Sequence, residues 1–322
     1  LSNRKRFTTP IPPFAVMTHQ TSGHWRLGLT LSLLTAFLWG VLPVALKMTL
    51  QVLDIYTIVW FRFSLAFVLL GAYLFTQKKL PTQQQIFSAP IKLLIITTIF
   101  LCSNYILFMQ GIALTTANNT EVLIQLAGVL FGLGGLVVFK ERYTLWQWLG
   151  ISILTFGFLL FFKSQISNLI TSQGQYLLGS GLVILGAISW AIYALAQKEL
   201  LQSLSSSHIM LIVYGGCALL LTPFAKITTV FTLDLASLSV LIFCGLNTLI
   251  AYGAFAESLE HCPASIVSAI LALAPIFTLI SVDLAATILP QIFTPEYINL
   301  RGIIGALLVV VGSATTALGK NK

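Results

Sequence analysis

Ten apolar stretches follow one another along this chain with little polar sequence between them. They lie near residues 27–47, 54–76, 91–114, 117–139, 144–162, 176–197, 208–230, 235–256, 264–289 and 300–318. Each is close to the roughly 20 residues that a helix needs to cross a bilayer. In hydrocarbon the backbone must satisfy its own hydrogen bonds, so such segments are helices. The chain is 57% hydrophobic and 8% charged, against roughly 25% charged in soluble domains. A water-soluble fold with so little charge would expose too much apolar surface. The expected class is therefore an all-α integral membrane protein with ten transmembrane helices. The longest loops, 77–90 and 163–175, are too short for a catalytic domain.

Charge sets the expected topology. An even number of spans puts both ends on one side. With that side cytoplasmic, twelve basic residues lie inside, four lie outside, and Arg62 falls within a span. That bias follows the positive-inside rule and explains the net charge of +8 without nucleic acid. Residues 1–25, with Arg4, Lys5, Arg6 and three prolines, read as a cytoplasmic N-terminal tail. The four cysteines form no CxxC pair and the four histidines show no ligand spacing, so no metal or cofactor is expected.

The chain also repeats itself. Ala36, Trp39 and Lys47 recur 151 residues later as Ala187, Trp190 and Lys198. Tyr105, Phe108, Ala117, Leu126 and Ala127 recur at a step of 147 as Tyr252, Phe255, Ala264, Leu273 and Ala274. Glu141, Leu145, Gly150 and Gly157 recur at a step of 155 as Glu296, Leu300, Gly305 and Gly312. Five spans per repeat is an odd number, so the second unit enters the membrane upside-down. Two inverted five-helix repeats, over 26–163 and 176–319, are thus expected, with a site between them near the midplane.

The stretch 117–141 supplies the sharpest candidates. Asn118, Glu121, Gln125, Gly128 and Gly132 recur at steps of three and four, on one helical face. Glu121 could bind a substrate amine, carry a coupling proton, or stand in a first turn capped by Asn118 or Thr120. Gln125 could orient a substrate. This face reads as one wall of a central cavity, in which Gly128 and Gly132 are its small lower part; alternatively they form a GxxxG pair that would let a neighbouring helix approach. Asn104, Gln110 and Asn247 are intramembrane amides, fit for substrate contact or for joining helices. Trp39 and Trp190, Tyr105 and Tyr252, and Tyr193 are expected to wall the cavity with aromatic rings. Arg62 needs a partner, and Asp283 is a candidate both for that and for a second proton site.

These motifs resemble the drug/metabolite transporter superfamily, specifically the EamA-type ten-helix exporters. The residues that carry the resemblance are Trp39-Gly40, Arg62, Trp190 with Ala187 and Ala191, Lys140-Glu141-Arg142, the Gly150 to Gly157 spacing, and Ala274-Pro275. The sequence departs from the family pattern at Gly128, where proline is usual, and at Glu121. The resemblance implies a secondary transporter of the bacterial inner membrane that exports small metabolites, with amino acids or related amphipathic or aromatic compounds foremost. A proton gradient or the cargo's own gradient is the expected energy source, with protons the candidate coupling ion, and membrane lipid and a small-molecule substrate are the expected partners. A passive channel or an uptake permease for small organic solutes is the alternative. No P-loop, HExxH or GxSxG motif points to an ATPase or an enzyme.

Overall fold

In the computed structural model, residues 24–138, 143–171, 174–262, 267, 270–293 and 299–319 are described. Among them the chain is helical, with no strand. The first repeat holds α1 (Trp25–Thr49), α2 (Ile55–Thr76), the short α3 (Gln83–Ser88), α4 (Ile91–Leu114), α5 (Ala117–Ile124), α6 (Leu126–Val138) and α7 (Leu145–Thr171). The second holds α8 (Gln175–Leu200), α9 (Ser206–Leu221), the short α10 (Ile227–Val230), α11 (Leu235–His261), α12 (Ala274–Ile288) and α13 (Leu300–Leu318).

Helix starts are written in the loops. Asp54, Thr82, Thr116, Ser205, Asp234 and Asn299 each accept a hydrogen bond from a backbone N–H of the first turn that follows. Such caps satisfy donors that no helical carbonyl can reach. Thr82 and Gln85 complete a reciprocal capping box at α3. Asp234 is exposed, and hydrogen bonding from Ser237 holds its carboxyl below the usual range.

Five helices (α1, α2, α4, α8 and α11) are long and apolar enough to cross a membrane, and α7, α9, α12 and α13 contain shorter apolar stretches. Four of the expected spans need correction. The fourth is two helices, α5 and α6, meeting at Gln125. The ninth is interrupted by a turn at residues 272 and 273, with helical residues 270 and 271 before it and α12 starting at Ala274 after it. The seventh ends at Leu221, because a turn separates it from α10. The fifth runs on to Thr171. The expected tail falls outside the described residues up to position 23, and Trp25 is already helical. Lys140, Glu141, Arg142, Ala264 and Glu296 are likewise outside them.

Packing follows the repeat. α1 lies on α11 as α4 lies on α8, and α6 meets α8 as α12 meets α1. α2 pairs with its counterpart α9, and α7 with its counterpart α13. The equivalence reaches single bonds. Asn104 Nδ2 donates to the Gly186 carbonyl at 2.9 Å. At the corresponding place in the other half, Thr35 Oγ1 donates to the Ala251 carbonyl at 3.3 Å. A two-fold relation that exchanges the halves is what two inverted repeats produce. The largest buried cluster lies at the centre, among α1, α2, α4, α8, α9 and α11. Large apolar side chains such as Val68, Phe75, Phe156, Leu159 and Leu177 face outward, where lipid takes the place of water.

Candidate functional site

Both interrupted spans break at equivalent positions. α5 ends at Ile124, and Gln125 occupies the turn before α6. In the second half, residues 272 and 273 form the turn before α12, and position 272 is the repeat counterpart of Gln125. Pro275 explains the second break, because it lacks an N–H and its ring collides with the preceding turn. In the first half Gly128 N–H donates to the Gln125 carbonyl at 3.2 Å, three residues back rather than four. Glycine tolerates this local tightening without a ring. A side chain at Gly128 would meet no atom within 4 Å, so open space adjoins the break. Among the described residues Gly128 thus makes no close contact with a neighbouring helix, and the surroundings of Gly132 lie outside them.

Glu121 lies in the second turn of α5 and is 5% exposed. The cap of α5 is Thr116, whose hydroxyl accepts from the Asn119 N–H at 3.2 Å. Neither Asn118 nor Thr120 performs that task, so Glu121 is not a first-turn acid. Among the described residues no charged group acts on it. Next to it, Asn119 Nδ2 donates to Ser180 Oγ of α8 at 3.0 Å, while Asn119 Oδ1 has no partner. Thr116→Ala should lower the stability of the detergent-solubilised protein by about 1 kcal/mol, the usual worth of such a cap. A thermal melt measures it.

The expected aromatic residues do come together, in two groups. Trp39 of α1 meets Tyr252 and Phe255 of α11 at ring distances of 5.3 and 5.8 Å. Tyr252 leads to Tyr105 of α4 at 6.3 Å, Tyr105 to Phe63 of α2 at 4.5 Å, and Phe63 to Tyr214 of α9 at 6.1 Å. In the second group, Trp190 meets Tyr193 at 6.1 Å and Phe131 of α6 at 6.2 Å. Trp39 and Trp190 are repeat counterparts, yet they are not used alike. The first rests on α11, whereas the second turns to α6.

The amides join helices. Asn104 donates to Gly186, and Asn247 Nδ2 donates to the Leu38 carbonyl of α1 at 2.7 Å. Asn247 Oδ1 has no partner and remains available as an acceptor. Gln110 is half-buried on α4. Asp283 corrects an expectation. It is exposed, on the same side of α12 as the outward-facing Ile280 and Leu284, so it is not the partner of Arg62. Arg62 is held instead by Thr248 Oγ1, which accepts from Nε at 3.0 Å, and by the Tyr105 ring, 4.6 Å beneath its Cζ. No local signal in the sequence marks Thr248, because it stands 186 positions away in another apolar helix.

Comparisons with known proteins bear on the whole chain. The EamA-like transporter family matches residues 26–163 and again 177–318. An uncharacterized inner membrane transporter of Escherichia coli (strain K12), YhbE, is 37% identical over 295 residues, covering 91% of this chain and 92% of that protein. An uncharacterized transporter of Haemophilus influenzae is 36% identical over 293 residues, covering 91% and 95%. A solved crystal structure, 13% identical, superposes with a TM-score of 0.62 over 90% of this chain and 96% of the other. That likeness concerns the fold alone. With both repeats matched in turn, the chain belongs to the EamA-like transporter family.

Proposed function

We propose that this protein is a secondary active transporter of the bacterial inner membrane that exports small metabolites by alternating access. Amino acids and related amphipathic or aromatic compounds are its foremost cargo. Units 26–163 and 176–319 rock against one another, and both termini lie in the cytoplasm. The observation that carries this reading is the unequal use of two equivalent tryptophans. Trp39 stacks on Tyr252 and Phe255 of α11, while Trp190 contacts Phe131 of α6. In an inverted-repeat carrier the two halves hold different conformations at any moment, and exchanging them moves the opening from one side to the other. Backbone contacts that keep the symmetry, and aromatic contacts that break it, suit that exchange.

The half-buried tryptophans with Tyr105, Tyr193 and Tyr252 favour amphipathic cargo, since aromatic faces accept both apolar groups and cations. Glu121, buried with no cation acting on it, supplies a place for a substrate amine or a coupling proton. The relatives named as inner membrane transporters support the location.

Counterflow in proteoliposomes tests the reading. Vesicles holding the purified chain and preloaded with unlabelled phenylalanine, or in turn with each other amino acid, are expected to take up the labelled compound transiently above equilibrium. Entry without trans-acceleration for every compound would favour a passive channel instead.

A further inference from the structure

Arg62 is 3% exposed in the middle of α2, yet the groups that hold it carry no negative charge. Thr248 Oγ1 accepts from Nε at 3.0 Å and itself donates to the Cys244 carbonyl at 3.0 Å. Tyr105 offers its ring face. The hydroxyl of that tyrosine is buried beside the hydroxyls of Tyr252 and Thr248, and among the described residues it has no partner at full hydrogen-bond geometry. A guanidinium has five N–H donors. Among the described residues only Nε donates to a protein acceptor here. One place between α2, α4, α9 and α11 thus gathers a full positive charge, the remaining N–H groups and a phenolic O–H, and none of the described residues there supplies an anion. Asp283, the acid nearest to expectation, faces outward.

We propose that Arg62 and the Tyr105 hydroxyl form the subsite for the carboxylate of the transported solute. The proposal rests on the carrier reading above and assigns one end of its cargo. A carboxylate supplies the two missing elements together, a negative charge and a pair of acceptor oxygens that fit the guanidinium fork. A monoanion is the matching charge. The repeat counterpart of Arg62 is the buried Val213, so the other half adds no second cation. Phe63, Tyr105 and Tyr214 line the place with rings, which favours an organic acid over a strongly hydrated dianion.

Thermal shift on the purified full chain in detergent tests this. The probes are the twenty amino acids, the amines obtained by decarboxylating them, acetate, benzoate, 3-phenylpropionate and inorganic phosphate. At least one carboxylate-bearing probe is expected to raise the melting temperature while its amine counterpart does not. Arg62→Gln should weaken that probe by roughly 10- to 100-fold, the worth of hydrogen bonds to a charged group. Thr248→Val keeps the charge but releases Nε, and should weaken it by about tenfold. This second variant decides the matter if Arg62→Gln does not fold. The proposal is overturned if no carboxylate stabilises the protein, if phosphate alone does, if amines bind as well as their parent acids, or if Thr248→Val binds with unchanged affinity. Counterflow separates the two readings. Exchange of amines but not acids removes the Arg62 subsite and leaves the carrier, whereas carboxylate binding without counterflow of any probe removes the carrier alone.

Discussion

Glu121→Gln should reduce transport driven by an imposed proton gradient by roughly 10- to 100-fold, while the protein still folds. The magnitude is that of removing one charge-assisted hydrogen bond or ion pair from a desolvated place. Glutamine keeps the size of the side chain. The local anchors of α5 do not involve the carboxylate: Thr116 caps the helix, and Asn119 ties it to Ser180 of α8. What changes is the charge. Leaving an ionised carboxylate inside a bundle with no cation beside it costs several kcal/mol. On the proposed carrier reading its charge is balanced by something that comes and goes, either a proton or the ammonium group of a cargo molecule. The two roles separate by experiment. If Glu121 carries only the proton, substrate exchange between preloaded vesicles survives in the variant. If it grips the cargo, exchange falls together with gradient-driven flux. An unchanged flux and pH profile in reconstituted vesicles removes both roles.

Together with Arg62, this acid gives the bundle one buried carboxyl and one buried guanidinium, and among the described residues neither is held by an opposite charge. A zwitterion presents the complement of both. The charges come from different spans of the first repeat, α5 and α2, and their counterparts in the second repeat, at 268 and 213, are a serine and a valine. The repeat symmetry thus shapes the scaffold, whereas both of these buried ionisable groups belong to one half.

The scaffold was legible in the sequence because its causes are local. A run of apolar residues marks a span wherever it packs, and the steps of 151, 147 and 155 pair the helices that later prove equivalent. The caps at Asp54, Thr116 and Asn299 are of the same kind, a side chain and the turn that follows it. The break at Gln125 was not legible. No proline marks it, and the apolar pattern runs on beyond it; the tightened Gln125-to-Val122 and Gly128-to-Gln125 bonds reveal it. The orientation of Asp283 was hidden for another reason. In a helix that is apolar all round, hydrophobic periodicity gives no phase, so one acid cannot be assigned to the inner or outer face. The partners of Arg62 depend on which helices meet, and that is a property of the assembled bundle.

The seam between α7 and α13 carries the other large expectation. A methyl group added at Gly312 would lie against the backbone N–H of Leu154 and 2.7 Å from the Gly150 carbonyl oxygen. One added at Gly150 would meet the Thr316 backbone and lie 2.8 Å from the Gly312 carbonyl. Gly157 and Gly305 face each other in the same way, at 2.8 and 2.9 Å from one another's carbonyl oxygens. Backbone stands against backbone at both crossings, so no side chain can swing aside, and any substituent must separate the helices. Gly312→Ala should cost about 1–3 kcal/mol, as overpacking does. Gly312→Leu should abolish the monodisperse folded species in size-exclusion chromatography. Because Gly150 and Gly312 meet, the paired alanine variant should show a coupling of about 0.5 kcal/mol or more: once one methyl has pushed the helices apart, the second finds room. Gly150 and Gly157 lie two turns apart at separate crossings, and their alanine variants should depart less from additivity. Thermal melts of the single and double variants provide the cycle. If Gly312→Leu melts like the parent, α7 and α13 are not in contact through bare backbone. The join between the two halves would then rest on the other pairs that cross it, α1 with α11, α4 with α8 and α2 with α9.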